Sequence, residues 1–126
     1  MSPADAARAI DHATIAAEAV RALNHLTLQI GAHDPGGYRE AADVDEVLGQ
    51  LAVTAHRLCQ ALAQAERWLR HEHRAGRVRH DLCPDATGPI TVLSSELRYA
   101  RAMSAHLAMS LDKARLISTH LGTVQG

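Results

Sequence analysis

The chain has 126 residues, 47% of them hydrophobic and 21% charged, with a formal net charge of −1. That length fits one compact domain, the apolar content speaks against wholesale disorder, and the near-zero charge argues against a polyanion partner attracted by a global field. With no phenylalanine, one tryptophan and two tyrosines, the core has to be aliphatic and rich in alanine, which favours helices that approach closely.

The first helical signal opens at Ser2-Pro3-Ala4-Asp5, where serine suits an N-cap, proline the first turn, and aspartate the positive end of the dipole. Ala16, Ala19, Leu23, Leu26 and Ile30 then recur at alternating steps of three and four, and Gly31 is a natural stop. This predicts a helix over about residues 3–30. The cluster His33-Asp34-Pro35-Gly36-Gly37 reads as a turn. The second helix, about 44–75, starts with Asp43 as expected cap and Glu46 three residues on. Its ladder of Val44, Leu48, Leu51, Ala55, Leu58, Leu62, Ala65 and Leu69 is a heptad seam and the strongest pattern in the chain. Gly76 ends it. After a loop containing Pro84, Asp85 and Gly88, Pro89 is expected to open a third helix, about 89–121. Its ladder runs Ile90, Leu93, Leu97, Ala100, Ser104, Leu107, Leu111, Ala114, Ser118 and Leu121. No segment alternates as a strand would.

The expected fold is therefore all-α: an antiparallel up-down-up bundle of three long helices spanning residues 1–126 as one domain. Spare apolar strips remain on the first helix (Ile10, Ala13, Ala17, Val20) and the second (Val47, Thr54, Ala61, Trp68). They point to a homodimer that completes a larger bundle. No apolar run is long enough for a membrane span and the N-terminus has no signal-like core, so a cytoplasmic protein with reduced thiols is expected. Twelve of the thirteen basic residues are arginine. With the alanine excess, that is the composition of a high-GC bacterial genome.

Charge is unevenly spread. Residues 1–46 carry three arginines against eight acids, and residues 47–80 carry six arginines against two glutamates. Five of those six fall within RWLRHEHRAGRVRHDLCP at residues 67–84. Arg67, Arg70 and Arg74 share a helix face, and Arg77 and Arg79 extend the patch into the loop. This patch is the candidate contact surface, for an acidic protein partner or for phosphates of nucleic acid. Scarce aromatics and over-long helices count against single-strand binding and a helix-turn-helix. A weaker alternative is a metal or enzyme site built on two His-x-x-Cys pairs, His56/Cys59 and His80/Cys83. Paired cysteines of a structural zinc site, Glu-x-x-His, HExxH, a glycine-rich phosphate loop and a nucleophile elbow are all absent from the sequence. No cofactor is implied. The acids Asp34, Glu40, Asp43, Asp45 and Glu46 are read as capping and solvating the first loop. The chain is thus expected to be a non-enzymatic, self-associating interaction or regulatory module, with a nucleic-acid-associated regulator as the alternative.

Overall fold

A computed structural model describes residues 1–30 and 36–124. These are helical, with no strand among the described residues: a single turn of 3-10 helix at Pro3–Asp5, then α1 (Ala9–Leu26), α2 (Ala41–Arg74) and α3 (Thr87–Ser118). The expected stop at Gly31 and the turn residues His33, Asp34 and Pro35 lie outside the described residues, while Gly36 and Gly37 do sit in a turn.

The first helix is shorter than its ladder suggests, and both ends have a local cause. Asp11 reaches back to accept the N–H groups of Arg8 at 3.1 Å and Ala7 at 3.3 Å, which starts the helix at Ala9 rather than Pro3. At the other end, the Thr27 N–H makes the last i−4 bond, to the Leu23 carbonyl at 3.1 Å, and the Leu28 N–H turns to the His25 carbonyl at 3.4 Å, a tighter turn in which the helix ends. Ile30 consequently stands in water.

In α2, Asp43 is not the cap residue itself. It sits one turn inside, and its carboxylate accepts the N–H of Arg39 at 2.8 Å and of Glu40 at 3.2 Å. The exit is as expected of Gly76, which takes φ +74°. Its N–H donates to the His73 carbonyl and that of Arg77 to the Glu72 carbonyl, both at 3.0 Å, the paired bonds of a Schellman ending. The third helix starts two residues before Pro89, because Asp85 accepts both the N–H (3.0 Å) and the hydroxyl (2.8 Å) of Thr87.

The main packing is α2 against α3. Residue 45 meets 115 and 118, 55 meets 104, 59 meets 101, 66 meets 98 and 73 meets 87, so the two helices run antiparallel in a hairpin about 50 Å long. Its centre is made of small residues: Ala52, Ala55, Ser104 and Ala108 are buried, and no large side chain is fully so. Small side chains bring the backbones close enough for the Ser104 hydroxyl to donate to the Ala55 carbonyl across the interface at 2.6 Å.

The seam is rotated by one residue from the sequence ladders at alternate positions. The contact line on α2 is Asp45, Leu48, Ala52, Ala55, Cys59, Leu62, Glu66, Leu69 and His73, all buried or half-buried. On α3 it is Ile90, Ser94, Leu97, Arg101, Ser104, Ala108, Leu111, Arg115 and Ser118. Leu48, Ala55, Leu62 and Leu69 belong to both readings. Val44, Leu51, Leu58 and Ala65 of α2, and Leu93, Ala100, Leu107 and Ala114 of α3, lie one position to the side. In heptad letters the contact residues are a and d, and the displaced leucines are g. Leu58, Leu93 and Leu107 are exposed.

Helix α1 buries none of its residues. Near its C-terminal end, Leu23 and Thr27 share a cavity of about 620 Å³ with Tyr38, Val47 and Leu51. No described helix is long and apolar enough to cross a membrane.

Candidate functional site

In an antiparallel pair of helices, g positions of one face g positions of the other, and e positions face e. The hairpin therefore has two unlike faces. On the g side, together with the adjoining c row, lie Val44, Val47, Leu51, Thr54, Leu58, Ala61, Ala65 and Trp68 of α2 and Leu93, Ala100, Met103, Leu107, Ala114, Ile117 and Leu121 of α3. Along these two rows the charged residues are Glu96 and, at the loop end of α2, Glu72, which is paired with Arg77. On the e side His56 of α2 meets Asp112 of α3 at 3.1 Å, and Arg70 and Arg98 flank the same edge.

The chemistry concentrates toward the loop end of this polar side. Glu66 occupies an a position, so the heptad turns its carboxylate into the seam, where it is only 5% exposed. A buried carboxylate is tolerated when cations and hydrogen bonds compensate it. Arg98 Nε donates to Glu66 Oε1 at 3.0 Å, while Arg70 and Arg101 stand at 3.8 Å from its two oxygens. Around it, Arg67, Arg70 and Arg74 of α2 and Arg98 and Arg101 of α3 line a cavity of about 290 Å³. A neighbouring cavity of about 300 Å³ is lined by Arg70, His73, Arg74, Thr87, Thr91, Ser94, Ser95 and Arg98. Five arginines thus line a cavity that holds one carboxylate, and three of them approach it.

Of the sequence-predicted patch, Arg67, Arg70 and Arg74 come together. Arg77 turns away to Glu72, a pair that holds the Glu72 carboxyl below and the Arg77 guanidinium above their ordinary values. Arg79 lies exposed in the loop and lines neither cavity. Arg98, Arg101 and Glu66 were missed. Glu66 carried a signal, since it falls seven residues after Cys59 on the a line. The two α3 arginines become neighbours only through the antiparallel register.

The His-x-x-Cys pairs occupy two places. His56 is paired with Asp112 at mid-hairpin, and the Cys59 thiol points to the carbonyls of Ala55 (3.8 Å) and Arg101 (3.6 Å) inside the seam. His80, in the loop between α2 and α3, accepts the Leu82 N–H at 3.0 Å, with half-buried Cys83 nearby in sequence. Among the described residues no three His, Cys, Asp or Glu side chains converge as a metal-ion cluster. The Thr87 hydroxyl lies 3.4 Å from His73 and donates to Asp85 at the start of α3. Those two bonds from Thr87 hold the Asp85 carboxyl below its ordinary value.

The opposite end of the hairpin has its own polar contact. Asp45, also at an a position, accepts Arg115 Nη2 at 3.1 Å and the Ser118 hydroxyl. The Arg115 hydrogen bond first, then that of Ser118, lowers the Asp45 pKa, and Asp45 in turn raises that of Arg115. Of the first-loop acids, Asp43 caps α2 and Asp45 belongs to this contact, while Asp34 lies outside the described residues.

Comparison with protein-family models, with curated proteins and with solved structures finds no match to this chain. Its chemistry has to be read from its own residues.

Proposed function

We propose that the chain is a non-enzymatic helical interaction module that acts through protein–protein contacts and self-associates. Two copies lay their apolar g/c faces together across a two-fold axis, and the apolar strips of α1 close the flank of an up-down-up bundle. The supporting observation is surface area. The chain exposes 9877 Å², whereas a compact monomer of 13.6 kDa exposes about 6,600 Å². The excess of about 3,300 Å² per chain is ample for a permanent homodimer, whose interfaces bury about 2,000–5,000 Å² in total. It goes with a mainly aliphatic face whose charges are Glu96 and the terminal Glu72, and with a hairpin that buries no large side chain completely. Free Cys59 and Cys83 accord with a cytoplasmic setting.

Sedimentation velocity over a range of concentrations tests this. The expected species has twice the 13.6 kDa chain mass. Leu58→Glu with Leu107→Glu is expected to give single chains whose helical circular dichroism is retained. Single chains at every concentration in the unaltered protein reject the reading.

The second reading is a nucleic-acid-associated regulator. It is favoured by the convergence of Arg67, Arg70 and Arg74 with Arg98 and Arg101, and weakened by the withdrawal of Arg77 to Glu72. A steeply salt-dependent shift of labelled duplex DNA supports it, and no binding at low salt removes it.

A further inference from the structure

We infer that the arginine-lined cavity between α2 and α3 binds a compact phosphoryl oxyanion, either free phosphate or a phosphate monoester, with Arg70, Arg74 and Arg98 as its principal donors. Three observations converge on this.

The first is a local surplus of positive charge with unspent donors. Glu66 takes one close hydrogen bond, from Arg98 Nε, which leaves the Nη groups of Arg98 available. Arg70 and Arg101 approach Glu66 at 3.8 Å, close enough for attraction but too far for a hydrogen bond. Arg67 and Arg74 have no carboxylate partner among the described residues, although both line the cavity. Subtracting Glu66 from the five arginines leaves four positive charges around one small space.

The second is shape. The two adjoining cavities, about 290 and 300 Å³, share Arg70, Arg74 and Arg98. The second of them adds the hydroxyls of Ser94 and Ser95. Donors thus come from two helices and from more than one side. A tetrahedral dianion uses such a set, because each guanidinium fork can grip a different pair of oxygens. A single carboxylate has two coplanar oxygens and one charge, and would leave most of the donors idle. A nucleic-acid strand would need the cationic row to continue along its backbone, and Arg77 and Arg79 do not continue it.

The third is preorganisation. The buried Glu66 carboxylate anchors Arg98 and draws in Arg70 and Arg101, so mutually repelling cations are held in place before any ligand arrives. The site lies on the side of the hairpin away from the apolar g/c face, so it stands whether or not the chain self-associates.

Calorimetry on the full chain, titrated with sodium phosphate against sodium chloride at matched ionic strength, tests the inference. Saturable binding at one site per chain is expected. Arg74→Gln, which breaks no ion pair among the described residues, is expected to weaken it about tenfold, the loss of one charge-assisted hydrogen bond. Arg79→Gln, outside both cavities, is expected to leave it unchanged, and circular dichroism of both variants should match the parent. A parallel titration with phosphoserine identifies the source: binding of phosphate alone assigns the free ion, and binding of both assigns the monoester as well. The inference is overturned if neither saturates, if Arg74→Gln binds as the parent does, or if only duplex DNA or an aspartate-rich peptide binds.

Discussion

Asp45 and Glu66 stand three heptads apart on the same a line of α2, and each is a carboxylate turned into the seam toward arginine on α3. Their surroundings differ. Asp45 has one guanidinium and one hydroxyl, and Glu46 and Asp112 add negative charge near that guanidinium, so no cation is in surplus. Glu66 has three guanidinium groups within 3.8 Å, two more beside it, and open space around them. The same register position thus makes a clasp at one end of the hairpin and a receptor at the other. The number of cations in excess of the carboxylate separates the two.

The comparison can be broken outright at the point on which both layers depend. Ala108 is fully buried between them, and Ala108→Leu forces α2 and α3 apart, costing about 3 kcal/mol in urea unfolding as an overpacked core site. Next in size, Arg98→Ala leaves the 5% exposed Glu66 without its close hydrogen bond. It should cost about 2 kcal/mol, below the full penalty of a stranded buried charge because Arg70 and Arg101 remain nearby. Arg115→Ala at the clasp is expected to cost less than Arg98→Ala in the same assay, since Asp45 keeps Ser118.

Acid sharpens the contrast further. Because the Asp45 pKa is lowered in the folded chain, its contribution is fully present above the ordinary aspartate value of 3.8. It is lost as pH falls below that value toward the folded one. Thermal melts taken from neutral pH down through this window should show falling stability, and Asp45→Asn should flatten part of the fall, with Glu72 and Asp85 contributing by the same sign. The smallest effect is expected of Gly49→Ala. Glycine within a helix costs up to about 1 kcal/mol relative to alanine. The added Cβ would come within 2.9 Å of the Arg115 guanidinium, the movable end of a long side chain. A net gain below about 1 kcal/mol in the melting assay is therefore expected.

Much of this architecture is legible in the residues alone. Steps of three and four place the helices, Gly76 ends α2, and Arg67, Arg70 and Arg74 share a face. The rotation of the seam was not legible, for a physical reason. A ladder drawn through the largest aliphatics selects Leu51, Leu58, Leu93 and Leu107. Two helices pairing alone bring their smallest residues together instead, and Ala52, Cys59, Ser94 and Ala108 fill the contact. The leucines then lie to the side, where a further layer would meet them. The same blindness hid Glu66, because a glutamate in a leucine ladder reads as an outward residue. It hid Arg98 and Arg101 too, since residues 81–126 are neutral as a block and only the antiparallel register sets those two opposite Arg70. The first helix was overextended at its start because Asp11 sets that end through side-chain bonds that periodicity does not register.

Trp68 is the sole tryptophan, 61% exposed on the c row of the apolar face and adjacent in the chain to Arg67 of the cavity. The protein therefore carries its own chromophore on the face that self-association would cover. Covering the leucine face would dry the indole and move its emission to shorter wavelength, while an anion settling among the arginines would leave that colour unchanged, so one spectrum tells the two apart without any label.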